Sequence, residues 1–282
     1  MKPIVPNMPA PAPASAGPEG TSRPKSKGDT KAKIRKVLII LFWLAVWEVV
    51  DRILNNGLVL SGPIDTLEAL FHQVQQSDFW LTCGVSFGKI VVGFLMSFII
   101  GFLLAFLAHK VQFIKELLAP IMSLLKTVPM VSFVIMLLIW VGNQALTIYL
   151  SFLIVLPMIY TNTLSGLESV DPQMLEMAKI YNLSWWKKFW YIERPAFMPY
   201  VISSAKVSLG MSWKSGIMAE VIGTPKPSIG RELYQAKSFL QTADLFAWTV
   251  VVIILSLIFE VIFMALIKQL NRPMGKGLLH ES

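Results

Sequence analysis

The sequence predicts an all-α protein that crosses a membrane about six times, on three observations. Of its 282 residues 55% are hydrophobic and 15% charged, and the mean hydropathy is +0.61. That is too apolar for a soluble domain of this length. Six stretches reach the roughly 20 residues a helix needs to cross about 30 Å of hydrocarbon. Lys and Arg gather between alternate stretches, as expected when they are retained on the cytoplasmic side.

Residues 1–34 read as a disordered, basic, cytoplasmic arm, rich in Pro, Ala, Ser and Gly and nearly free of aliphatic side chains. Residues 1–36 carry eight Lys/Arg against Glu19 and Asp29, so they hold +6 of the formal charge of +8 and leave +2 for the rest. The basicity is thus a property of the tail and implies no nucleic-acid partner. Residues 35–270 form the transmembrane domain and 271–282 a cytoplasmic tail. The first span, 35–54, follows the basic run 31–36 with no small-residue cleavage site and is expected to be its own anchor.

The outer segment 61–80 has Asp65 as a helix cap and Leu67, Leu70, Phe71 and Val74 at helical spacing, which suits the outer membrane interface. Further spans are read at 84–108, 116–140, 145–166, 197–219 and 245–267. The third contains Pro120 and Pro129 and reads either as one span or as two shorter pieces. On one side lie seventeen basic residues: the eight of residues 1–36, Lys110 and Lys115, Lys179, Lys187, Lys188 and Arg194 in the loop 168–196, and Lys268, Arg272 and Lys276. The other side has Arg52, Lys226, Arg231 and Lys237, with Lys89, Lys126, Lys206 and Lys214 at or within spans. Both termini are therefore expected in the cytoplasm.

The loop between the fourth and fifth spans has its own structure. Asp171 and Pro172 start a helix, and Met174, Met177, Ala178 and Tyr181 give it one apolar face. Asn182, tolerant of left-handed backbone, breaks it; Ser184 caps a second short helix expected to end by Pro195. Trp185, Trp186, Trp190 and Tyr191 read as interfacial anchors rather than cofactor-binding aromatics. A cytoplasmic helix with an apolar face needs a partner: the feet of its own spans, the membrane, or another protein.

Catalytic and metal chemistry find no carrier here. Cys83 is the single cysteine and reads as a small packed residue, while His72, His109 and His280 are scattered without metal-ligand spacing. "GTPKPSIG" lacks the phosphate-loop Lys-Ser/Thr, so no nucleotide or other cofactor is assigned and any nucleotide must be hydrolysed by a partner. A membrane-embedded lipid enzyme would need a cluster of carboxylates or histidines at one membrane face. Glu48 and Glu260, inside apolar runs, read as structural, whereas Lys126 and Lys214 lie deeper and must find water, a carboxylate or a ligand.

The stretch "LEMAKIYNLSWWKKFWYIERP", residues 175–195, resembles the coupling-loop signature of ABC importer permeases, matching it at Glu176, Ala178, Asn182, Ile192 and Pro195. It departs at Met177 for Ala, Asn182 for Gly and Arg194 for Leu. The similarity runs from near Ser86 to Leu270 and resembles the nitrate, sulfonate and taurine branch. It rests on "KTVPMVSFVIMLLIWVG", where Ile135 replaces a second Pro, on "NTLSGLESVDPQMLEMA", and on "AKVSLGMSWKSGIMAEVIG" with Trp213 and Glu220. The usual outer Gly-Leu-Gly is reduced to "SIG" at 228–230.

The resemblance implies a type I importer permease of the inner (plasma) membrane, not an enzyme. It implies two cytoplasmic ATPase subunits, an extracytoplasmic solute-binding protein and a second permease, identical or closely related. Glu176, Ala178, Asn182, Ile192 and Pro195 would couple to the ATPase. Lys126, Ser132, Trp213, Lys214 and Glu220 would line the path. Small oxyanions such as sulfonates, taurine or nitrate are the expected cargo, with a pyrimidine vitamin precursor or other small aromatic as the alternative.

Overall fold

A computed structural model describes residues 27–54, 57 and 60–270 of the chain. The basic arm up to residue 26 and the tail 271–282 lie outside the described residues. The chain divides into two units, one ending at Val49 and the other beginning at Val50. The described part of the first belongs to α1 (Lys27–Leu54), whose helix starts well before the apolar run. Residues 27–34 are therefore helical rather than part of a disordered arm. A helix nucleated by the apolar run propagates into Lys- and Ala-containing sequence at little cost.

The second unit is built from α2 (Pro63–Val74), α3 (Ser77–Lys110), α4 (Gln112–Thr127), α5 (Met130–Glu168), α6 (Pro172–Ile180), α7 (Trp185–Lys188), α8 (Arg194–Gly223), α9 (Ile229–Ser238) and α10 (Thr242–Leu270). Among the described residues no strand occurs. Helices α3, α5 and α10 are long and apolar enough to cross a membrane, and at most 33% of their apolar windows is buried within the chain. The rest of that surface suits hydrocarbon or other subunits. Helix α8 has 30 residues but is less apolar, with Lys206, Lys214 and a row of serines along it.

The third expected span is not one helix. Helix α4 carries Pro120 without a break and stops at Thr127; Val128 and Pro129 are extended, and Pro129 precedes α5. Helix α5 is itself two rods joined at Gly142, whose φ of 72° suits a residue without Cβ.

Helices α3, α5 and α8 form the centre. Their contact faces repeat small residues every four positions: Gly93, Ser97, Gly101 and Ala105 on α3, and Ser204, Ser208, Ser212 and Gly216 on α8, all buried. Small side chains let backbones approach, which is how helices bind one another where lipid removes the hydrophobic drive. The approach is close enough that a Cβ on Gly93 would sit 2.6 Å from the Ile148 carbonyl oxygen, and one on Gly216 2.6 Å from Ile90 Cγ1. Around this seam pack Ile90, Phe94, Val155, Ile159, Leu209, Trp213, Phe259 and Phe263.

Helix α2 packs through Leu70 and Val74 against Phe79, Trp248 and Val251. Its Gln73 donates from Nε2 to Asp244 Oδ1 at 2.7 Å. The helix is capped at Gly62 with Pro63 in its first turn, so Asp65 lies inside the first turn rather than at the cap. Leu67 and Phe71 point outward, 63% and 67% exposed, so the apolar residues divide between two faces. Cys83 is buried in the same cluster.

Candidate functional site

The loop 168–196 is an ordered knob. Asp171 caps α6 by accepting from the Gln173 backbone N–H at 2.9 Å, with Pro172 in the first turn. At the other end Asn182 takes φ 48°. The Leu183 N–H then reaches the Ala178 carbonyl at 2.9 Å and the Asn182 N–H reaches that of Lys179 at 3.1 Å. This pair of bonds satisfies carbonyls that the helix end leaves free. Of the expected apolar face, only Ala178 is buried; Met174, Met177 and Tyr181 are 49%, 40% and 73% exposed. Glu176 is exposed on the same short helix. The knob offers apolar surface with a carboxylate beside it and does not cover that surface itself.

The connection to the membrane is helical throughout. Ser184 stands at the start of α7 but its side chain makes no capping bond. Pro195 does not end the second helix: residues Phe189–Glu193 form a wide turn, and the Arg194 N–H reaches back five residues to the Phe189 carbonyl. The turn leaves Pro195 in the first turn of α8, where a missing N–H forfeits no helical bond, and α8 continues from it. Ile192 is half-buried at this turn. Beside it, Lys188 pairs with Glu193 at 3.2 Å. A cleft of ≈ 340 Å³ is lined by Ala178, Lys179, Asn182, Leu183 and Lys188.

An aromatic ladder ties the knob to the bundle. Phe94, Phe98, Phe102 and Phe106 follow one another on α3 at centroid distances of 6.1, 6.4 and 4.8 Å. Phe106 then meets Phe197 at 5.5 Å and Phe189 at 6.1 Å, and Phe189 stacks on Trp185 at 5.9 Å. The exposed rings carry cations: Lys110 lies 5.7 Å from the Trp185 centroid and Arg194 4.2 Å from that of Trp190. Where α5 runs into the loop, Lys115 pairs with Glu168, and that hydrogen bond holds the Lys115 ammonium above its ordinary pKa.

The five expected path residues do not share one surface. Lys126, Ser132 and Lys214 are exposed, whereas Trp213 is 3% and Glu220 0% exposed. Lys126 donates to Thr161 Oγ1 at 3.3 Å. Trp213 belongs to the core, 5.9 Å from Phe87.

Glu220 is a staple, not a path wall. Its Oε2 accepts from Ser86 Oγ at 2.8 Å and from the Gly230 N–H at 3.0 Å, Ser86 Oγ accepts from the Ile229 N–H at 2.9 Å, and Ser228 Oγ from the Arg231 N–H at 3.2 Å. The first three amides of α9 are thus each satisfied by a different side chain. The "SIG" triplet gains its reason here: Ser228 caps, Ile229 packs with Phe79 and Trp248, and Gly230 passes so close to Glu220 that a Cβ would lie 2.3 Å from the Glu220 Cβ. On α9 itself, burial raises the Glu232 carboxyl above its ordinary pKa.

The described residues form an apolar helical bundle joined through a helical turn to an exposed knob, an architecture that suits a membrane component. Residues 97–276, more than half of the chain, match the family of binding-protein-dependent transport system inner membrane components, and the chain belongs to that family. It is therefore a membrane permease subunit of an ABC importer, working with an ATP-hydrolysing subunit and a solute-binding protein, and not an enzyme.

Among its relatives, SsuC of Bacillus subtilis (strain 168), named for aliphatic sulfonate transport, is 23% identical over 210 residues, 74% of this chain and 76% of the relative. The taurine transport system permease protein TauC of Escherichia coli (strain K12) is 24% identical over 248 residues, 84% and 90% of the two chains. The nitrate import permease protein NrtB of Synechocystis sp. is 24% identical over 199 residues, 67% and 72%.

Two features escaped sequence reasoning although their signals were present. The small-residue repeats on α3 and α8, and the four phenylalanines on α3, each recur at intervals of four.

Proposed function

We propose that this chain imports a small oxyanion as one of a pair of permeases, with six crossings, both termini in the cytoplasm, and α6 seated in the ATPase. The exposed knob carries this reading: Glu176, Met174, Met177 and Tyr181 offer a surface the chain leaves open, and the helix continues without a break from Trp185 into α8. When nucleotide closes the ATPases, paired knobs draw together and the spans reorient, since a rigid link carries displacement instead of absorbing it. Ala178 and Asn182 hold the knob's shape, and Ile192 and Pro195 its junction with the span. Lys126, Ser132 and Lys214 face the path. The small-oxyanion cargo follows the relatives, which are named for sulfonate, taurine and nitrate.

The test is reconstitution of the chain with its ATPase and binding protein, screening taurine, alkylsulfonates, nitrate and small neutral aromatics for stimulated ATP hydrolysis. Stimulation by an anion is expected, and stimulation by aromatics alone would reject the cargo assignment. Glu176→Lys is expected to insert normally yet lose the ATPase on co-purification. A mutant that retains both ATPase binding and stimulated hydrolysis would show that the knob is not the contact.

A further inference from the structure

Resting on the reading of α8 as path-facing, we infer that Lys206 and Lys214 form a paired anion-contact site centred on Gly210. Helix α8 spans Arg194–Gly223, so these residues lie in its central turns. Ser203, Lys206, Val207, Gly210 and Lys214 are all exposed, and they recur at three- and four-residue spacing along one face. The opposite face holds Ser204, Ser208, Ser212 and Gly216 against the chain's own core. Neither lysine makes an ion pair or side-chain hydrogen bond with any described residue. Ammonium groups in the middle of a span are costly if they face hydrocarbon, so this face is turned to water or to negative charge.

The geometry suits one small anion. Lys206 and Lys214 stand four residues before and after Gly210, about 40° to either side of it at 3.6 residues per turn. Their Cα atoms are about 12 Å apart along the axis at 1.5 Å per residue. Flexible lysine stems can cover that distance from both ends. Above Gly210 a Cβ would meet nothing within 4 Å, so the notch between the stems is open and floored by backbone. Both groups are donors without acceptors, and among the described residues no carboxylate pairs with them. A sulfonate, nitrate or similar oxyanion offers several acceptor oxygens and the complementary charge, whereas a neutral aromatic offers neither.

The experiment uses the assembled transporter in membranes, with Cys83 replaced by Ala so that Gly210→Cys is this chain's only thiol. Modification rates are measured with the anionic sulfonatoethyl and the cationic trimethylammonioethyl methanethiosulfonates. Two ammonium groups within a Debye length are expected to favour the anionic reagent by about tenfold. That preference should vanish when Lys206 and Lys214 are both changed to Met and persist when both are changed to Arg. Ethanesulfonate or nitrate, but not glycerol, should slow the modification. Labelling without sign preference, or a preference unchanged in the Met pair, overturns the anion site while leaving the face aqueous. No labelling with or without nucleotide overturns the path reading of this face as well.

Discussion

Single residues set the shape of this permease where backbone conformation or closeness leaves no choice. Gly230 is the tightest: its Cβ would lie 2.3 Å from the Glu220 Cβ and 2.6 Å from the Glu220 backbone carbon. Because backbone cannot yield as a side chain can, Gly230→Ala is expected to destabilise the protein by about 3 kcal/mol or more, read as a lower melting temperature in detergent. An unchanged melting point would mean that α9 can move off α8 freely. Asn182 presents the opposite case, a position where glycine would serve but is absent. At φ 48° a β-branched residue costs about 1–2 kcal/mol, so Asn182→Val should lose most stimulated ATP hydrolysis and Asn182→Gly should keep it. Equal activity in the two variants would remove the turn from the coupling mechanism. This turn was legible in the sequence because the constraint is local. Glu220 was not: a carboxylate in a span announces that it needs partners, but Ser86 lies 134 positions away, and no spacing rule reaches that far.

At the scale of elements, coupling depends on what joins the knob to the bundle. Phe106 is the junction, touching Phe102 on its own helix, Phe189 in the wide turn and Phe197 at the start of α8. Phe106→Leu keeps apolar volume but removes the ring contacts. It is expected to leave ATPase co-purification intact and to lower substrate-stimulated hydrolysis about fivefold, a coupling loss of about 1 kcal/mol. Loss of the ATPase itself would instead mark Phe106 as part of the docking knob.

Elements differ in how well the sequence foretells them. The split of the third span was readable because Pro129 removes a donor and biases Val128 away from helix. The same rule misled at Pro195, which follows the wide turn in the first turn of α8, where proline is tolerated and the helix continues. Helix α8 was readable by length, but its serine face makes sense only once α3 and α5 are packed against it.

For the whole molecule, the distribution of charge and the path are one question. Seventeen Lys/Arg fall on the side given to the termini and the loop 168–196, four on the other, and that bias orients short loops. Helix α8, at 30 residues about 45 Å long, separates the α6 knob from α9, so the two are expected on opposite sides. With Cys83 replaced by Ala, Ser184→Cys should react with an impermeant maleimide only in inside-out vesicles and Ser238→Cys only in right-side-out ones; the reverse pattern would invert the molecule. In that orientation Lys126 stands at the end of α4, next to the extended Val128 and Pro129, a break tolerated at membrane depth only against protein or a water-filled cavity. Its bond to Thr161 Oγ1 at 3.3 Å is to a neutral partner, so among the described residues no carboxylate makes the lysine a packing device. Lys126→Met should therefore cut anion flux with assembly and basal hydrolysis intact, because it removes charge at similar length, while Lys126→Arg should retain most of it. Flux of labelled taurine or nitrate into proteoliposomes decides between the two roles: failure to assemble in Met but not Arg would assign Lys126 to packing, and undiminished flux in Met would take it out of the path.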